Sequence, residues 1–238
     1  MKTKSKALLL TLCAVLLVAA SVLGTMAYLT DSDKVENTFT VGKVDISLDE
    51  AEVNADGKAI DKDGKEVTDL AAAKRVTKNS YKLMPGHSYV KDPTVTVKAG
   101  SEASYVRMLV TVKFDKVLTE DQLATKLDDI FTGYDVASWN RPDDPTVATA
   151  NEGEENAYTT ITYVYYYKDK VAATTADTKL PALFTGITVP GAWTNADLAA
   201  LGNIQINIVA QAIQADGFTA TEGGNTAEEN AWAAFPAT

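Results

Sequence analysis

Hydrophobic and polar positions alternate with a period of two along most of the chain. In Ser104–Phe114, Val106, Met108, Val110, Val112 and Phe114 share one parity. Tyr105, Arg107, Leu109, Thr111 and Lys113 share the other. That pattern predicts a strand with one buried face. Pro93-Thr-Val-Thr-Val-Lys98 predicts a strand just before it, with Pro93 at its start, where the missing N–H is tolerated. Tyr158–Lys168 places Ile161, Tyr163, Tyr165 and Tyr167 on one face. Leu183–Val189 and Ile204–Ala215 complete the set. In the last run Ile204, Ile206 and Ile208 alternate with Gln205 and Asn207, and then Val209 breaks the parity. A bulge is expected there.

Short helices interrupt the strands. Thr119-Glu-Asp-Gln122 is a capping-box pattern, followed by Leu123, Leu127, Ile130 and Phe131 at helical spacing. Asn195–Leu201 ends at Gly202, and Thr226-Ala-Glu-Glu229 opens a helix that Pro236 terminates. Two stretches read as loop insertions. Residues 54–73 hold an imperfect duplication with two Asp-Gly turn signals, and 141–156 is rich in Pro, Asp, Glu and Gly. The fold class is therefore all-β, a jelly-roll-like β-sandwich with a few short helices in the connections.

The first residues alter the picture. Lys2, Lys4 and Lys6 precede an uncharged run, Ala7–Gly24, and Thr25 and Ala27 stand at the −3 and −1 positions of a cleavage site before Tyr28. This is the layout of a secretory signal peptide, residues 1–27. An uncleaved anchor is the alternative, since the run is at the lower limit for spanning a bilayer. Cys13 follows Leu12, which does not fit a lipoprotein signal. Cleavage leaves 211 of the 238 residues, without cysteine, as one sandwich domain. The fold must then rest on its apolar core. Losing three lysines takes the net charge from −10 to −13. That balance disfavours nucleic acid and anionic membranes as partners.

Behind the signal lies an exposed strand-like segment, residues 28–48. Phe39 and Val41 share one face, while Val44, Ile46 and Leu48 take the opposite parity, so the phase slips at Gly42. Glycine suits a bend by which one strand serves two surfaces.

Catalytic signals are sparse. The single histidine, His87, sits in the turn Met84-Pro-Gly-His, and no His-Glu-x-x-His pattern is present. No Gly-x-Ser-x-Gly elbow occurs. The pairs Asp128-Asp129, Asp143-Asp144, Glu154-Glu155 and Glu228-Glu229 suit a solvated acidic surface. Asp61-Lys-Asp-Gly-Lys-Glu66 lacks the alternating ligands of a calcium loop. Tyr163–Tyr167 suits a sheet or a glycan platform. No catalytic residue, metal ligand or cofactor is assigned.

Gly24-Thr-Met-Ala-Tyr-Leu-Thr-Asp-Ser-Asp33 and Asn37-Thr-Phe-Thr-Val-Gly-Lys-Val-Asp-Ile46 closely resemble the start of the TasA/camelysin family. Met84-Pro-Gly-His, Lys91-Asp-Pro-Thr-Val95 and Ala210-Gln-Ala-Ile-Gln-Ala-Asp-Gly-Phe218 resemble further family motifs. The resemblance implies export through the signal peptidase SipW. It implies a secreted jelly-roll subunit of extracellular fibres in a Gram-positive biofilm matrix, a head-to-tail homopolymer with an accessory matrix protein as a further partner. The N-terminal segment of one subunit would fill a sheet of the next, with Phe39, Val41, Gly42, Val44, Ile46 and Leu48 in the assembly strand. Camelysin-type members are also metallopeptidases, so a secreted metallopeptidase is the alternative reading. A non-polymerising surface adhesin or binding module is another.

Overall fold

β5 (Ser101–Phe114) is the spine of the fold, hydrogen-bonded along both edges. The computed structural model describes residues 43–124, 130–173 and 175–236, which fall in one unit, Gly42–Thr238. Before β5 come β1 (Ile46–Ala51), β2 (Arg75–Val76), β3 (Ser88–Val90) and β4 (Thr94–Val97). After it come α1 (Glu120–Ala124), β6 (Phe131–Thr132), β7 (Trp139–Asn140), β8 (Thr146–Ala150) and β9 (Tyr158–Tyr167). The chain ends through β10 (Val171–Ala173), β11 (Thr178–Lys179), β12 (Gly186–Thr188), α2 (Asn195–Leu201), β13 (Ile204–Gln214) and α3 (Ala227–Ala233).

All strand pairings are antiparallel among the described residues. β13 lies along one edge of β5, and β9 and β10 lie in line along the other. β7 and β8 pair with the far edge of β9. A second sheet has the order β11-β4-β1-β2, and a third has the order β3-β12-β6. The architecture is all-β with short helices.

Alternation decides what is buried. Val106, Met108, Val110, Val112 and Phe114 are fully buried, as are Val95 and Val97 from the second sheet. Ile161, Tyr163 and Tyr165 join them, so both sheets share one core. Each such side chain contributes about 1.5–3 kcal/mol by leaving water. Trp139 is buried in this core and donates its Nε1–H to the Pro181 carbonyl at 3.1 Å. The tyrosine run divides by parity: Tyr163 and Tyr165 point inward, while Tyr166 meets Trp232 on the opposite face.

Three local expectations need correction. β13 pairs with β5 in unbroken register from Ile204–Phe114 to Gln214–Ser104, so Val209 marks no bulge. Val209 itself stays exposed, and only farther along, at Ile213, does α3 cover the outer face by packing Trp232 with Ile213 and Tyr105. Phe131 belongs to β6 rather than to the helix after Thr119. Thr146–Ala150, inside the acidic 141–156 insertion, is a strand. Its β-branched Thr and Val residues extend the β9 edge.

The 54–73 insertion is also ordered locally. Asn54 Oδ1 accepts from the amides of Asp56 and Lys58, and Asp61 Oδ1 accepts from those of Asp63 and Lys65. The duplication thus repeats one side-chain-stapled turn, over a small core of Ala51, Ala59 and Ala73. Gly57 has φ +73°, and a Cβ there would lie 2.2 Å from the Tyr89 ring. Both the backbone and the close approach demand glycine.

The capping boxes at Thr119–Gln122 and Thr226–Glu229 form as expected, and Thr194–Asp197 forms a further one. Burial raises the Glu228 pKa, against the hydrogen bond it accepts from Trp232 Nε1. A raised carboxyl pKa means that the folded state favours the protonated form. That contribution is full below the ordinary value and is lost as pH rises through the folded value. Glu228→Gln should therefore raise the urea midpoint at neutral pH, and the gain should vanish well below pH 4.5. In the core, Phe114→Ala should cost about 3–5 kcal/mol in urea unfolding. Val209→Thr, on the exposed face, should change stability by less than about 0.5 kcal/mol.

Candidate functional site

Two strand edges face a common groove. Ile46, Ser47, Leu48 and Asp49 of β1 pair with β4 on one side. β2 pairs with the other side of β1 only at Glu50 and Ala51. Among the described residues nothing pairs with the remaining β1 edge, or with the β13 edge that faces away from β5. Between them lies a cavity of about 820 Å³, walled by Leu48–Glu50, Ile204–Ile208 and the 77–83 segment.

Its apolar wall comes from Leu48, Leu83, Ile187, Ile204, Ile206 and Ile208. Of these, Leu48, Ile204, Ile206 and Ile208 are only half-buried although they pack on the main core. The core is thus open along this edge. The 81–89 loop is braced over it by Tyr89, whose hydroxyl donates to the Lys82 carbonyl at 2.7 Å and accepts from the Met84 amide at 2.8 Å.

One part of the wall is polar. Lys91 Nζ donates to Glu50 Oε2 at 2.6 Å, with both side chains almost fully buried. Asn79 Nδ2 donates to Glu50 Oε1 at 2.9 Å and to the Ala51 carbonyl at 2.8 Å. Tyr81 lies beneath Lys91, with Nζ 5.5 Å from its ring, and donates its hydroxyl to the Val90 carbonyl. Burial pushes the Tyr81 pKa well up, reinforced by the Glu50 and Asp92 carboxylates, so its hydroxyl stays protonated.

A second network anchors this wall from behind. Arg75 donates to Asp49 Oδ1 at 2.8 Å, to the Asp49 carbonyl at 3.1 Å, and to the Asp92 carboxylate. Asp92 also accepts from the Ala51 amide at 2.6 Å. Burial would lower the Arg75 pKa, but its bonds to Asp92 and Asp49 outweigh that and hold it above the ordinary value. The pairs join β1, β2 and the residues leading into β4, so the groove wall cannot shift piecemeal.

Of the residues singled out by the sequence pattern, Ile46 and Leu48 lie in β1 and pair at home with Val97 and Val95. Val44 is half-buried just before β1. Thr25, Ala27, Tyr28, Phe39, Val41 and Gly42 lie outside the described residues. His87 is exposed in its turn. Among the described residues no group of three His, Cys, Asp or Glu side chains is placed to hold a metal ion. Glu50, Asn79, Tyr81 and Lys91 carry no motif spacing for chemistry; their meeting across 41 residues, Glu50 to Lys91, is a tertiary event.

Lys91→Met should strand the Glu50 charge and cost about 3–5 kcal/mol, whereas Lys91→Met with Glu50→Leu should recover most of it. A double-mutant cycle by urea unfolding checks this.

Comparison of the chain with protein-family models, with curated proteins and with solved structures finds no match.

Proposed function

We propose that this protein is a secreted structural subunit of an extracellular matrix fibre, a jelly-roll domain that assembles head to tail by strand exchange. The observation that carries the reading is the groove between two unpaired strand edges, which opens the apolar core. A strand laid there gains backbone hydrogen bonds at an open edge, and its alternate side chains enter the core. Because β1 is paired at home, the exchanged segment narrows from residues 28–48 to 28–42. Phe39 and Val41 supply apolar side chains of one parity, each contributing about 1.5–3 kcal/mol on burial.

A segment leaving one subunit and entering the next is a heterologous contact, which yields open filaments. The signal-like residues 1–27 and the family resemblance support export through SipW and release from the membrane, with an accessory matrix protein as a partner. The net charge of −13 after cleavage makes subunits repel one another, so acid should favour assembly.

The test uses residues 28–238, imaged by negative-stain electron microscopy before and after mild acidification. Filaments are expected, and deleting residues 28–42 should leave a folded monomer with unchanged far-UV circular dichroism band shape. Monomers from the full segment under every condition, with and without a co-purified matrix protein, would sink the proposal.

A further inference from the structure

Alternation along residues 28–42 places Val35, Asn37, Phe39 and Val41 on one parity and Lys34, Glu36, Thr38 and Thr40 on the other. The apolar parity is the one a core would accept, and Asn37 interrupts it. Asparagine is disfavoured in strands. Buried without a partner, its amide would cost about 1–3 kcal/mol. The groove shows the same mixture. Leucines and isoleucines share its wall with polar side chains, and among the described lining residues Glu50 and Lys91, meeting above Tyr81, form a buried ion pair.

The hydrogen-bonding inventories match. Lys91 carries three N–H donors and gives one to Glu50. Each Glu50 oxygen accepts one bond, from Lys91 or from Asn79, and can accept another. An asparagine side chain offers one acceptor, which suits the Lys91 ammonium, and two donors, which suit the Glu50 carboxylate.

We infer that Asn37 sets the register of the exchanged strand by seating on the Glu50–Lys91 pair of the neighbouring copy. The inference rests on the strand-exchange reading above and adds what that reading lacks. Alternation alone forbids a slip by one residue, since every side chain would change face. It permits a slip by two, which keeps Val35, Phe39 and Val41 inward. Such a slip would move Asn37 off the ion pair and leave an apolar side chain on it. A single buried asparagine fixes register in coiled coils by the same exclusion.

Residues 28–238 contain no cysteine, so single-cysteine chains report the register directly. Ser80 is exposed, lines the groove and follows Asn79, which bonds Glu50. Chains with Asn37→Cys are co-assembled with chains carrying Ser80→Cys and treated with a short bis-maleimide. A covalent dimer is expected, with about tenfold less when Val35→Cys or Val41→Cys replaces Asn37→Cys. Equal yields from all three positions would overturn the register and leave strand exchange standing. Cross-linking only within one chain carrying both cysteines would place the segment in its own groove and overturn exchange itself. As a second measurement, Asn37→Val filaments should dissociate about tenfold faster in urea; an unchanged rate would overturn the role of Asn37.

Discussion

Two-sided backbone pairing of β5 is the constraint on which the rest depends. A strand bonded along both edges has no freedom to rotate, so its alternate residues are committed to one face or the other. Val106 through Phe114 are thereby driven into the core, and β9 and β13 must match that parity row by row. The second sheet then needs only small branched side chains, Val95 and Val97, to close over them.

Closure is incomplete on one side, and that is where function is proposed. β13 gives one edge to β5 and leaves isoleucines half-covered along the other. An edge of this kind is a template for another strand, which proteins normally blunt or cover. Here no described strand pairs with it, and the flanking wall is stiffened by Arg75 between Asp49 and Asp92 and by Lys91 on Glu50. Buried ion pairs are poor sources of stability, but they fix geometry when every member is bonded. Such a fixed wall would let the groove admit a strand, as proposed, without collapsing.

The outer face of the main sheet has the opposite treatment. α3 folds Trp232 onto Tyr166, with the Arg107 guanidinium stacked 4.2 Å from the Trp232 ring. Arg107 also donates to Gln211 across the β5–β13 pair at 2.7 Å. The arginine is a packing residue as much as a charge, since its flat face is weakly hydrated. One face of β13 is thus finished by the C-terminal helix, and its edge is left open.

Alternation by itself determined the long strands, the inward residues of β5 and β9, and the all-β class, because a period of two has few other physical solutions. Capping boxes at Thr119 and Thr226 were equally legible, since their partners lie three residues away. Val209 misled because an exposed apolar residue breaks the parity without breaking the pairing, and only the packed α3 explains why Ile213 is apolar on the outer face. Thr146–Ala150 was hidden by its acidic, turn-rich surroundings, which outweighed its three β-branched residues, Thr146, Val147 and Thr149. The groove and its Glu50–Lys91 pair were decided by tertiary structure alone. Hydrogen bonding between residues 41 apart leaves no local signature, and an open edge exists only once every other strand has found its neighbour.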